Sequence, residues 1–397
     1  MYTPTCRISF ILMFLVALIT CGCPSDTIVP WAQIYGGDSL ESAETVVQTA
    51  DGGFAFAGKS FSYVDGGFYL VKTDAQGEQE WTGTYARDNG DILKDMIQTA
   101  DGGYALVGNT YFPDTTFVEM YLVKTYADGD VEWANSYGAG SHNDQANSVI
   151  QSTDGGFVIA GVTYSYGAGN GDMFLVKIDS GGEQEWAKTY GGTDLDEANC
   201  VIRTSDGGYA VAGYTYSYGE GGKDMYLVKT DSKGDQVWAR TFGGSGLEHA
   251  NSVVRTGDGG FVLAGIFDIL GTSNGDMYLV KTNSNGNQEW SRTFGGSGID
   301  EAFSVARTLG GFALAGITYS YGTGNSDMYL VKTNDNGHQA WAKTYGGNSE
   351  EGANSVVSVA GGYIMAGFTT SYGLLGLSDM YAVRTDSDGN APNAPSK

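Results

Sequence analysis

Carboxylates recur along this chain at a near-fixed interval. Glu41, Asp91, Asp144, Asp196, Glu248, Asp300 and Glu351 follow one another at steps of 50–53 residues. A second set, Glu119, Asp172, Asp224, Asp276, Asp327 and Asp379, lies 27 or 28 residues after the first, with Gly67 in the odd copy. Clustered carboxylate oxygens can hold a hard divalent cation such as calcium. Two carboxylates about 5–9.5 Å apart can cleave a glycosidic bond. A plainer use also exists, because Asp in turns accepts hydrogen bonds from loop amides. A residue that every copy carries is most economically explained by something every copy needs. Loop architecture is therefore the leading reading, and a metal crown on the first set the second. Asp386-Ser-Asp-Gly-Asn has part of a calcium loop without its spaced acids and terminal Glu, and reads as a hairpin turn.

Other catalytic sets are missing from the sequence pattern. His142, His249 and His338 fall in different loops and make neither a triad nor a metal set, and no Ser-His-Asp or glycine-phosphate motif stands out. Arg203, Arg255 and Arg307 share one repeat position with Gln48, Gln98 and Gln151, which is weak support for a site.

The elements that must position the acids follow from seven tryptophans, Trp31, Trp81, Trp133, Trp186, Trp238, Trp290 and Trp341, the only ones in the chain. They mark seven near-copies of one unit, and such a period is the signature of a repeat architecture. One copy opens with Trp186-Ala-Lys-Thr-Tyr-Gly-Gly and continues through Glu197-Ala-Asn-Cys-Val-Ile-Arg, Gly207-Gly-Tyr-Ala-Val-Ala-Gly and Asp224-Met-Tyr-Leu-Val-Lys to Trp238. Each piece is short, rich in Val, Ile, Tyr, Phe and Thr, and bounded by Gly, Asp, Asn and Ser, which predicts β-strands. Thr-Ser-Asp-Gly-Gly between the second and third pieces supplies the Asp and Gly that tight hairpins require. Four antiparallel strands per unit and seven units predict an all-β, seven-bladed β-propeller.

The chain starts with a Trp strand and ends without one, so the Trp31 strand is expected to complete the last blade beside Met380 and remove both free edges. Both acid sets then fall on one face of the disc. The tryptophans and the aromatic of Gly-Gly-[Tyr/Phe] are expected in the core. Lys72, Lys124, Lys177, Lys229, Lys281, Lys332 and Arg384 recur on the third strand and are expected to reach towards repeated acids.

A chain of 397 residues suggests several domains, but a continuous repeat leaves one propeller over 24–390 with a short disordered tail at 391–397. Residues 1–23 carry Arg7 and then an apolar run that is too short for a membrane span and shaped like an export signal. Leu18-Ile-Thr-Cys21-Gly-Cys23 resembles a bacterial lipoprotein cleavage box, so lipidation at Cys21 or Cys23 stands beside plain secretion. Cys200 is the one cysteine beyond that region, at a place where four other copies have Ser, which leaves no disulfide framework and no Cys-based zinc site. A net charge of −25 and an isoelectric point near 4.2 exclude a nucleic-acid partner, which needs basic patches.

Tyr226-Leu-Val-Lys-Thr-Asp231-Ser-Lys-Gly234-Asp-Gln-Val-Trp238 is similar to the tryptophan-docking repeat of the quinoprotein alcohol dehydrogenase-like superfold, with three steps rather than four from Asp to Gly. The whole unit, Gly-Gly-Tyr-Ala-Val-Ala-Gly-Tyr-Thr-Tyr-Ser-Tyr-Gly, looks more like the secreted and surface repeat propellers of bacteria and archaea. The first resemblance implies a fold but not quinone chemistry, since the vicinal disulfide of those enzymes has no counterpart here.

Divergent loops between the second and third strands are the expected contact points: Tyr111, Phe112 and Phe117 in copy two, Phe267, Ile269 and Leu270 in copy five, Leu374 and Leu375 in copy seven. The expected protein is a monomeric, non-enzymatic, exported or lipid-anchored binding scaffold at the cell surface, with a protein or carbohydrate partner. It carries no cofactor other than calcium on the first acid set. The competing expectation is a polysaccharide hydrolase or lyase that uses acids of the loop face.

Overall fold

The computed structural model describes residues 29–392 and 394–395, apart from 64–65, 88–89, 112–116, 140–141, 269–273 and 374–375. The export signal with Cys21 and Cys23, and the loop residues Phe112, Ile269, Leu270, Leu374 and Leu375, lie outside the described residues.

The described residues form 28 strands arranged as seven antiparallel four-stranded sheets. Blade four is typical: Asp196–Arg203, Tyr209–Thr215, Asp224–Thr230 and Gln236–Phe242 lie side by side in chain order. Its third strand, Asp224-Met-Tyr-Leu-Val-Lys-Thr, is buried throughout, as its unbroken run without polar alternation requires when both faces are covered. The fourth strand is largely open to solvent and mixes polar with apolar residues. Hairpins between the first two strands follow the Asp-Gly-Gly signal. Gly207 donates to the Thr204 carbonyl at φ +85°, and Asp206 accepts from both the Thr204 hydroxyl and the Gly208 amide.

First strands of successive blades touch in a closed cycle, which makes them the inner ring around a central channel. Blade seven is built from Glu351–Val359, Gly362–Thr369 and β28 (Asp379–Asp386), and its outer strand is β1 (Trp31–Tyr35). β1 runs antiparallel to β28 with Trp31 opposite Arg384 and Tyr35 opposite Met380, so the ring closes as the missing eighth tryptophan implies.

The core consists of seven similar interfaces between neighbouring blades. Between blades three and four, Val158, Ala160, Met173 and Leu175 meet Val201, Val211, Tyr226 and Val228. Each tryptophan belongs to the outer strand of one blade and covers the hairpin glycine of the next. Trp186 lies over Gly234, where an added Cβ would stand 2.7 Å from the indole, and the Tyr190 hydroxyl donates to the Gly234 carbonyl at 2.6 Å. Five third-strand lysines, Lys72, Lys124, Lys177, Lys229 and Lys281, are buried and joined to a hairpin Asp, as in Lys72 with Asp51 (2.8 Å), and Lys72 also reaches Glu80 of the fourth strand (2.7 Å). In blade six the hairpin Asp is replaced by Leu309, and Lys332 donates to backbone carbonyls of Gly310 and Thr333 instead. A bulge in every first strand frees one residue from the ladder. Asn147, Asn199, Asn251 and Asn354 use it to donate across the seam to the carbonyls of Ala198, Ala250, Ala302 and Ala43.

Candidate functional site at the channel mouth

The seven first-set acids are buried at one end of the channel and share one task. Each accepts a hydrogen bond at 2.7–3.1 Å from an amide four residues earlier, or five in the case of Asp144; the donors are Gly37, Arg87, Ala139, Gly192, Gly244, Gly296 and Gly347. Hydroxyls from the neighbouring loop add to this, as in Ser217 on Asp196 Oδ2 (2.7 Å) and Ser320 on Asp300 Oδ2 (2.6 Å), while Oδ1 of both acids is buried without a protein partner. The acid thereby ties the loop entering its blade to the loop between the second and third strands.

Second-set acids lie at the same end, and five of them, all but Glu119, meet the first-set acid of the following blade over a single glycine. A Cβ on Gly191 would come within 2.6 Å of oxygens from both Asp172 and Asp196. The same holds at Gly243 for Asp224 and Glu248, and at Gly295 for Asp276 and Asp300. Burial first, and then the partner carboxylate, push Asp172, Asp276 and Asp327 above the usual range, and Asp224 to about 6. Among the described residues no group of three metal-binding side chains gathers around one point.

Above the acids stands a crown of aromatics that the repeats themselves encode. Phe61, Tyr63, Tyr164, Tyr166, Tyr216, Tyr218, Tyr319 and Tyr321 are all exposed. The second tyrosine of each loop is propped on a third-strand ring, as in Tyr218 on Tyr226 (5.7 Å) and Tyr321 on Tyr329 (5.6 Å). Its hydroxyl also donates to a glycine carbonyl, Gly191 for Tyr218 and Gly295 for Tyr321. The sequence reading passed over these regular loops in favour of the divergent ones. Of the latter, Tyr111 is exposed, Phe117 lies half-buried near the His142 ring, and Phe267 turns inward onto Tyr278 (5.2 Å).

Side chains differ most from blade to blade at two paired positions on the channel side of the acids. The residue after the acid is Ser42, Ile92, Gln145, Glu197, His249, Glu301 or Gly352. Opposite it, directly after the glycine found in every second strand, stand Lys59, Asn109, Val162, Tyr214, Ile266, Ile317 and Phe368. In blades four to six these residues form a polar network. The Tyr214 hydroxyl donates to Glu197 at 2.6 Å, and the Lys223 ammonium sits 4.6 Å from the Tyr214 ring centre. His249 Nε2 meets Glu301 at 2.8 Å, and Asn251 donates to the same oxygen at 2.8 Å. Burial raises Glu301, but the bond and charge of His249, then Asn251 and Lys223, outweigh it and hold this carboxyl below its ordinary range. Lys223 is depressed by burial, against the pull of Glu301 and Glu197. His249 is thus a strand residue paired with a carboxylate, not an isolated loop histidine. The two residues are 52 positions apart, one repeat, and only the ring brings them together. At the closing seam lies a cavity of about 380 Å³, bounded by Ser42, Phe61, Phe368, Lys59, Glu44 and Glu350.

Deeper in the channel a narrower ring links the blades. Hydroxyls of Ser148, Ser252, Ser304 and Ser355 accept from the amides of Val201, Val305, Val356 and Val46 at 3.2–3.3 Å. Asp95 takes this place in blade two and accepts from the Val149 amide, and burial pushes it to about 6. Cys200 takes it in blade four, where burial pushes the thiol up to about 11, so it is an unreactive small side chain.

The architecture and its channel mouth define a seven-bladed β-propeller. Solved structures of similar shape include the WD40 β-propeller domain of Doa1 (TM-score 0.53, 12% identity, 90% of this chain and 96% of that one). The WD40 domain of Neurospora crassa Pan2 is also similar (0.51, 10%, 88% and 97%). So is puromycin hydrolase (0.52, 12%, 85% of this chain but 53% of that one). At such identities the likeness is one of fold. No family model and no curated protein matches the sequence.

Proposed function

We propose that this protein is a non-catalytic, monomeric binding propeller that takes a protein partner end-on at the channel mouth and the tyrosine crown. One observation carries this reading. In seven copies of a nearly uniform unit, side-chain identity varies most at the two paired positions around the channel mouth. Folding demands the same residues of every blade, so positions where the blades differ are free of that demand and available to a partner. The mosaic of Lys59, Tyr214, Ile266, His249, Glu301 and Phe368, rimmed by propped tyrosines, has the mixed aromatic and charged character of a protein interface. The acidic surface favours a basic partner. We place the protein outside the cytoplasm, free or lipid-anchored, on the strength of its N-terminal apolar run. Kinship with the tryptophan-docking propellers is supported by the seating of Trp186 on Gly234. The rival, a polysaccharide-acting enzyme, is disfavoured because each first-set acid already serves its loop amide.

Photo-crosslinkers installed at Tyr216 and Tyr319 should capture a discrete partner in the native envelope. A crosslinker at Tyr126, an exposed residue of a hairpin at the opposite face, should not. Equal capture from both faces would refute end-on binding, and release of reducing ends from a polysaccharide would favour the enzyme.

A further inference from the structure

Three charged side chains break the repeat, and all three line one cavity. The residue ahead of the first-set acid is uncharged in blades one to six and is Glu350 in blade seven. The residue after the second-strand glycine is uncharged in every blade but the first, which has Lys59. At the first-strand bulge, where four blades place Asn and no other blade an acid, blade one has Glu44. Blades one and seven meet at the closing seam, and Glu44, Lys59 and Glu350 together bound its cavity of about 380 Å³. Folding asks for none of these charges in the other copies, yet all three converge on one space.

The charges are left available. Glu44 accepts from the Ser42 hydroxyl at 2.9 Å and faces the Asn354 amide across the seam at 3.5 Å, which steadies its carboxylate at the cavity wall. Among the described residues neither Lys59 nor Glu350 forms an ion pair. Phe61, which is exposed, and Phe368 add apolar surface to the same cavity. A Cβ on Gly352 would stand 2.7 Å from Phe368 Cε1, so that ring keeps its place because blade seven has glycine where the other blades carry side chains.

Like charges repel, so the ammonium of Lys59 disfavours a purely cationic ligand and the two carboxylates a purely anionic one. A small molecule that carries both charges on one carbon, together with an apolar body, answers every wall at once. We propose that the cavity at the closing seam binds a free α-amino acid with an apolar side chain, its ammonium on Glu44 and Glu350, its carboxylate on Lys59 and its side chain against Phe61 and Phe368. The cavity is at the small end of ligand pockets, which run to roughly 300–1,000 Å³, and bonds between ionised partners are the strong ones. Lys59 and Phe368 also belong to the surface offered to the partner, so the bound amino acid lies beneath it.

Calorimetric titration of the full chain with L-leucine and L-phenylalanine should give one site per chain. L-Leucinamide, which lacks the carboxylate, and N-acetyl-L-leucine, which lacks the ammonium, should each bind at least about tenfold more weakly, the cost of losing one bond to a charged group. Lys59→Met should erase the preference for leucine over leucinamide, and Glu350→Gln should narrow the gap between leucine and N-acetyl-leucine. An unaltered melting transition in each variant shows that it folds, and Glu350, being exposed, carries the test should Lys59→Met fail to fold. No heat at millimolar amino acid overturns the proposal. So does equal affinity for leucine and its two derivatives, or an unchanged preference in both variants. Because the titration uses the protein alone, its failure leaves end-on partner binding standing.

Discussion

Removal of residues 24–37 takes away β1 and tests whether one strand holds the ring shut. Trp31 and Tyr35, 8% and 6% exposed, each bury about 150–250 Å² of mostly apolar surface. At about 25 cal/mol per Å² the two side chains together contribute roughly 8–12 kcal/mol, an upper bound because unfolded chains are themselves partly compact. The buried 2.7 Å hydrogen bond from the Tyr35 hydroxyl to Gly77 adds about 1 kcal/mol. Typical domains are stable by about 5–15 kcal/mol, so this loss is comparable to the whole. It also turns β28 into an open edge, which templates association. The truncated chain should therefore lose its single cooperative transition in calorimetry and circular dichroism and should aggregate. Trp31→Ala is the graded version. It forfeits the edge-on contact with Phe54 at 5.9 Å and the cover over Gly77, costs about 3–5 kcal/mol, and lowers Tm by roughly 4–7 °C. A single sharp, unshifted melt of the truncated chain would show that closure does not depend on this strand.

Two more expectations concern the repeated hairpins. Partial burial pushes Asp51 up, but hydrogen bonds from Lys72 and Thr49 outweigh it and hold the carboxyl down to about 2; Asp101, with Thr99 and Lys124, behaves alike. A folded-state pKa below the unfolded value contributes stability that is present above about pH 4 and lost as pH falls towards 2. Melting temperature should accordingly drop through that window, and less steeply in Lys72→Met than in the wild type; identical slopes would count against the lysine's role. Gly234→Ala and Gly207→Ala both place a side chain at positive φ, +78° and +85°. Only the first drives a methyl group to 2.7 Å from Trp186, whereas the second meets open space. Their costs should be about 3 and 1 kcal/mol in chemical denaturation, and equal costs would mean that the tryptophan does not bear on the glycine.

Much of the architecture is legible in one copy of the unit, because what that unit needs is local or lies in the adjacent copy. The Asp-Gly-Gly hairpins, the unbroken apolar third strand and the spacing of the tryptophans specify four strands per blade, seven blades, and closure by Trp31. The same periodicity places both acid sets on one face. It does not say which acids meet. Asp224 faces Glu248 across a seam only because successive blades are rotated into contact. The Asn199 bridge to Ala250 likewise depends on a bulge that strand pattern does not reveal.

Exposure of the Tyr-Ser-Tyr loops was hidden for a similar reason. A loop that several copies share draws attention to the copies that depart from it, and only the third-strand rings beneath Tyr218 and Tyr321 show that the shared tyrosines are propped upward. The sequence alone therefore determined fold, blade count, closure and facing, all of which follow from residues that every blade shares. The tertiary structure alone decided the union of His249 with Glu301 and the clustering of variable side chains at the channel mouth. Those depend on ring geometry, which brings positions a full repeat apart to within hydrogen-bonding distance and leaves no trace in the local pattern of either.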